Sequence, residues 1–125
     1  MRILVVDDFE DARDVVEATL MSAGYTDVVT ADSAWEALHI LDVWRPKFDV
    51  VLLDIVMPKM NGLEICARIR NDARYSDLPI IMLTSLDDMD SVAEAFVVGA
   101  NDYVAKPLIR AQLVSRVQTA VKFKT

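Results

Sequence analysis

Two patterns of hydrophobic and polar positions alternate along the chain. Short apolar runs at residues 2–6, 28–31, 50–53, 79–83 and 102–105 fit strands, and Val50–Leu53 has the unbroken apolar character of a strand buried on both faces. Between them, apolar residues recur at helical spacing. From Phe9 to Ala23 the positions are Ala12, Val15, Val16, Thr19, Leu20 and Ala23, with Gly24 as the C-terminal stop. Ser33 followed by Glu36 has the form of a capping box, and the helix it opens runs through Ala34, Ala37, Leu38 and Leu41 toward Trp44, ended by Pro46. Leu63, Ile65, Cys66 and Ile69 mark a third helix. Val92, Ala95, Phe96 and Val97 mark a fourth, stopped by Gly99. Ile109, Leu113, Val117 and Val121 line the last.

Five strand–helix pairs in alternation predict a doubly wound α/β fold, a (βα)5 unit with a five-stranded parallel sheet and right-handed crossovers. All three glycines fall at element boundaries, which agrees with this parsing. Residues 1–125 are expected to form a single domain. The last helix reaches Thr125 without a capping residue, which favours the N-terminal part of a longer protein over a stand-alone one.

A parallel sheet brings the carboxyl ends of all its strands to one edge, where open α/β sheets bind their ligands. That rule gathers Asp7 and Asp8 from the first strand, Asp54 from the third, Thr84 from the fourth and Lys106 from the fifth. Asp54 ends the most apolar run of the chain, and Met57-Pro58 and Asn61-Gly62 keep a helix from following at once. Asp at a strand end also commonly begins a turn, and this segment alone does not separate the two roles. Taken together the three carboxylates are costly: two unit charges ~4 Å apart repel by roughly 4 kcal/mol at an effective dielectric of about 20. Lys106 offers one compensating charge. A hard divalent cation held by oxygens, Mg²⁺ above all, would offer two.

Composition narrows the setting. Hydrophobic residues make up 54% of the chain, so disorder is excluded. The single cysteine, Cys66, cannot form an internal disulfide, and no run approaches a membrane span or a signal peptide's apolar region. A cytoplasmic location with no membrane contact is expected. The net charge of −7 argues against this domain gripping a nucleic-acid backbone itself.

The Asp7-Asp8 pair, Asp54 with Met57-Pro58 and Asn61-Gly62, Thr84-Ser85, Tyr103 and Lys106-Pro107 together resemble the receiver domain of two-component response regulators. The likeness runs from residue 1 to about residue 121. It implies a flavodoxin-like sheet of order 2-1-3-4-5 and a phosphorylation-controlled signalling switch. Asp54 would be the phosphoacceptor, taking its phosphoryl group from a sensor histidine kinase or phosphotransfer protein. Asp8, Asp54 and the backbone carbonyl of Val56 would hold Mg²⁺, with Asp7 acting through water. Lys106 would contact the phosphate and Thr84 would be drawn toward it. Tyr103 would swing inward with Thr84, altering the face of helix four, strand five and helix five. That face would regulate an output domain or downstream protein, or pair phosphorylated chains as a homodimer. The resemblance also implies a cis bond before Pro107, and a domain that is no classical enzyme but catalyses its own phosphorylation and dephosphorylation.

Two other α/β chemistries fit less well. Haloacid-dehalogenase-type phosphatases need a second Asp two residues after a first-strand nucleophile, and here Phe9 follows Asp7 and Glu10 follows Asp8 at that spacing. A flavodoxin-like FMN site needs a Ser/Thr/Gly-rich loop where this chain has Asp7-Asp8-Phe9-Glu10-Asp11. Tyr103 also suits simple packing, His39 a surface position, Trp35 and Trp44 packing roles, and Cys66 the third helix without chemistry. Val56 and Leu86, two residues beyond Asp54 and Thr84, carry no polar side-chain atom to hold an attacking water, so slow loss of the phosphoryl group is expected.

Overall fold

The computed structural model describes residues 1–43, 48–57, 60–85 and 89–122; Trp44, Pro46, Pro58, Leu86 and Asp87, on which expectations also rested, lie outside the described residues. The elements are β1 (Arg2–Val6), α1 (Glu10–Ser22), β2 (Asp27–Ala31), α2 (Ala34–Val43), β3 (Val50–Asp54) and α3 (Gly62–Arg70). A 3-10 turn (Ala73–Tyr75), β4 (Ile80–Ser85), α4 (Met89–Val98), β5 (Asp102–Lys106) and α5 (Arg110–Lys122) complete them. All strand pairs are parallel, and the sheet order is β2-β1-β3-β4-β5, as the resemblance implies.

Strand residues alternate between two apolar clusters, one on each face of the sheet. Leu4, Val6, Val51, Leu53, Ile80 and Met82 meet α2, α3 and α4. Ile3, Val5, Val50, Leu52, Ile81 and Leu83 meet α1 and α5. Every residue of β3 is buried, so hydrophobicity alone would tolerate a one-residue slip of that strand. Polar ends set the register instead. Asp49 accepts the backbone N–H of Arg2 at 2.8 Å, and a slip would draw the Asp54 carboxylate into the core.

The helices begin where the sequence signals them. The Ser33 hydroxyl accepts the Glu36 N–H at 3.2 Å, while the Glu36 carboxylate reaches past the cap to the Asp32 N–H at 3.0 Å. Asn61 caps α3 by accepting the Glu64 N–H at 3.0 Å. Gly62 opens α3 against the end of β3, donating its N–H to the Ile55 carbonyl at 2.9 Å. A Cβ there would stand 2.4 Å from the Asp54 carbonyl oxygen.

Several expected core positions are on the surface. Val15, Val97 and Ile109 are 56%, 86% and 56% exposed. In α4 the buried residues are Val92 and Ala95, and at 100° per residue Val97 points away from them. Trp35, expected to pack, is 70% exposed for the same reason: Ala34 and Ala37 occupy the buried stripe of α2. His39 is exposed and Cys66 buried, as expected.

The sequence did not announce the 3-10 turn or the role of Arg70. The Arg70 guanidinium donates to the carbonyls of Gly99 at 2.9 Å and Tyr75 at 2.8 Å and to Asn101 Oδ1 at 2.7 Å. Gly99, at φ +114, lies so close that an added Cβ would be 2.7 Å from Arg70 Cγ. Among the described residues, no helix is long and apolar enough to cross a membrane.

Candidate functional site

Asp7 directly follows β1, and its N–H donates to the Ala31 carbonyl and so stays in line with the sheet. Its carboxylate is 1% exposed. One oxygen accepts the Phe9 N–H at 3.0 Å and the other takes the Lys106 ammonium at 3.2 Å. Asp8, one residue on, is exposed. Asp54 closes β3 beside them, its Oδ1 accepting the Val56 N–H at 3.3 Å and its Oδ2 lying 3.5 Å from Lys106 Nζ. Lys106 comes from the end of β5 and precedes a cis bond to Pro107, as the resemblance implies.

Four of the six predicted side chains therefore meet. One carboxylate oxygen from each of Asp7, Asp8 and Asp54 lies within 4.8 Å of the others. A cluster that tight, balanced by a single ammonium, fits an oxygen-ligated divalent cation. Both oxygens of Asp7 already have protein partners, whereas Asp8 faces solvent.

Burial holds the Asp54 carboxyl above its ordinary value, at about 6; the Asp7 charge adds to the rise, and Lys106 and the Val56 N–H oppose it. At neutral pH it is ionised, but less comfortably than a surface aspartate.

The other two predicted residues stand apart. Thr84 is buried on β4 at the same edge, with its hydroxyl donating to the Ser85 carbonyl at 3.2 Å. Tyr103 lies lower on β5, opposite Met82, with its ring edge-on to Phe96 at 6.3 Å between centroids. Residue by residue reasoning missed Arg13, whose guanidinium donates to the Asp7 carbonyl at 2.8 Å. A basic residue one turn into a helix carries no distinctive sequence signal. It also missed a cleft beside Asp8, lined in part by Trp35, Met57 and Met60.

The family model for the response regulator receiver domain matches residues 3–118. The chain belongs to that family. This receiver domain is 41% identical to the ycf27 regulator of Guillardia theta over 121 residues, which is 97% of the chain but 45% of that protein. It is 38% identical to chemotaxis protein CheY1 of Helicobacter pylori, covering 86% of each. Among solved structures it resembles the receiver domain of the Pseudomonas aeruginosa sensor histidine kinase PA1611, which has magnesium coordinated in its active-site cleft. The TM-score is 0.86 at 30% identity, covering 97% of both chains. The chain spans about half the length of the ycf27 relatives it matches. As a receiver domain it is a module of two-component signalling.

Proposed function

We propose that this receiver domain accepts a phosphoryl group on Asp54 from a histidine kinase or phosphotransfer protein and uses it to change its α4–β5–α5 face. One observation carries the reading: a half-buried ammonium bridges two carboxylates, with a third beside them open to solvent. An Asp54 oxygen would form the new bond to phosphorus as the phosphorus–nitrogen bond of a phosphohistidine breaks, the imidazole leaving with a proton. Asp8, Asp54 and the Val56 carbonyl would hold Mg²⁺ directly, and Asp7, with its oxygens already engaged, through water. The chemistry a bound Mg²⁺ supplies is neutralisation of charge on the phosphoryl oxygens. Lys106 would shift from the carboxylates to the phosphate, and Thr84 would exchange the Ser85 carbonyl for it. Tyr103 would then repack, which gives the two states the differential contacts that a switch requires. The domain would catalyse both gain and loss of its phosphoryl group, act in the cytoplasm, and signal to an output domain, a partner protein or a second phosphorylated copy.

Acetyl phosphate with Mg²⁺ should add one phosphate to the chain by intact mass and none to Asp54→Asn. A persistent adduct on the variant moves the phosphoacceptor elsewhere.

The lifetime of that adduct should be long. The Val56 side chain is 66% exposed at the cleft mouth and offers no hydrogen bond to an attacking water. Val56→Asn is expected to speed phosphate release severalfold in a decay assay, and an unchanged rate would mean that another group sets the clock.

A further inference from the structure

The phosphoacceptor edge continues into a cleft of about 190 Å³ at the start of α2. Asp8 belongs to both. Its lining combines the apolar side chains of Ala34, Trp35, Met57 and Met60 with Ser33 and the acidic Asp8 and Asp32. Trp35 is 70% exposed, so most of its apolar surface is left in water. The Asp32 carboxylate has no hydrogen-bond or ionic partner among the described residues. With Asp8 engaged by a cation, Asp32 would remain an uncompensated charge among the described residues that line the cleft.

We infer that this cleft receives a lysine or arginine side chain of the protein phosphodonor, and that Trp35 and Asp32 are specificity-determining residues for that donor. The inference rests on Asp54 as the phosphoacceptor. Any protein that brings a phosphohistidine to Asp54 must cover the adjoining surface, and the cleft opens within it. Its chemistry selects the occupant. Long basic side chains lay an apolar stem along hydrophobic surface and keep the charged head at the rim. A cation over the face of an indole is further attracted by the ring's electron-rich surface. Exposed tryptophans ringed by weaker contacts are also the residues on which interface energy concentrates. A small donor such as acetyl phosphate has nothing to place there.

The test compares the unsubstituted chain with Trp35→Ala, Trp35→Phe and Asp32→Lys. Each is phosphorylated by acetyl phosphate and, separately, by the phosphohistidine form of whichever sensor kinase of the same organism transfers fastest to the unsubstituted chain. With acetyl phosphate all four should react within twofold of one another. With the kinase, Trp35→Ala and Asp32→Lys should raise KM at least tenfold while kcat changes less than twofold, and Trp35→Phe should recover part of the loss. A kinase KM unchanged in either Trp35→Ala or Asp32→Lys overturns the inference. Equal slowing with both donors also overturns it, since that marks a structural defect. Failure of acetyl phosphate to label Asp54 in the unsubstituted chain instead removes the phosphoacceptor reading on which the inference stands.

Discussion

Asp54→Asn is expected to be more stable than the unsubstituted chain by about 3 kcal/mol at pH 8 in metal-free buffer. Burial raises the Asp54 carboxyl from 3.8 to about 6, with the Asp7 charge adding to it against Lys106 and the Val56 N–H. At about 1.4 kcal/mol per pH unit, that rise measures how much the fold disfavours the ionised form. The sign follows from the direction. A carboxyl with a raised folded-state value contributes its full stability below about pH 3.8, and that contribution is lost as pH rises through about 6. Asparagine mimics the neutral carboxyl and has nothing to lose. Urea titrations should therefore show a gap between the two proteins that is full at pH 8, shrinks through pH 5 and closes near pH 4. Millimolar Mg²⁺ at pH 8 should narrow it too, because a cation bound by the three carboxylates stabilises the unsubstituted chain more than a variant that keeps only two of them. A gap independent of pH would mean that the carboxyl is not strained by its surroundings. The energy held in this ionised group makes the site ready to accept positive charge.

Gly62→Ala should cost at least about 3 kcal/mol, near the upper end for an overpacked interior, and should abolish labelling of Asp54 by acetyl phosphate. Two effects compete at this position. Helix propensity favours alanine over glycine by up to about 1 kcal/mol. Against it, the added methyl would stand 2.4 Å from the Asp54 carbonyl oxygen and 2.9 Å from Ile55 Cα. Those atoms belong to the end of a wholly buried strand and the residue after it, so relief requires moving the backbone that carries Asp54. The steric term wins. Urea unfolding together with the labelling rate checks both halves. A neutral or stabilising result would show that the β3–α3 junction relaxes without disturbing Asp54.

The strands and the gathering of Asp7, Asp8, Asp54 and Lys106 were legible in the sequence because each follows from topology once the alternation is read, whereas the strand order came from the resemblance to receiver domains. Apolar runs define strands, parallel strands share an edge, and the polar residue ending each run lands there. The same logic does not reach side-chain direction. Helical periodicity marks a stripe without its margins, so Trp35, Val15 and Ile109 were expected inside and lie outside. Whether Thr84 faces the carboxylates or the Ser85 carbonyl depends on one torsion that no pattern records. The Arg70 contacts join residues up to 31 positions apart and leave no periodic trace.

Those Arg70 contacts also constrain how the face proposed to signal would move. Hydrogen bonds to Gly99 and Asn101 fasten the trailing end of α4 to α3 and to the start of β5. The helix is then a lever with its fulcrum at that end. α4 has ten residues and is roughly 15 Å long, so a tilt of about 4° about Gly99 carries the Met89 end through roughly 1 Å. In such a tilt the displacement would be greatest at the Met89 end, the end nearer in sequence to Thr84 on β4. Under the proposed switch, a small pull at the Thr84 hydroxyl would be read out as a rotation of the whole helix, with the amplitude set by helix length.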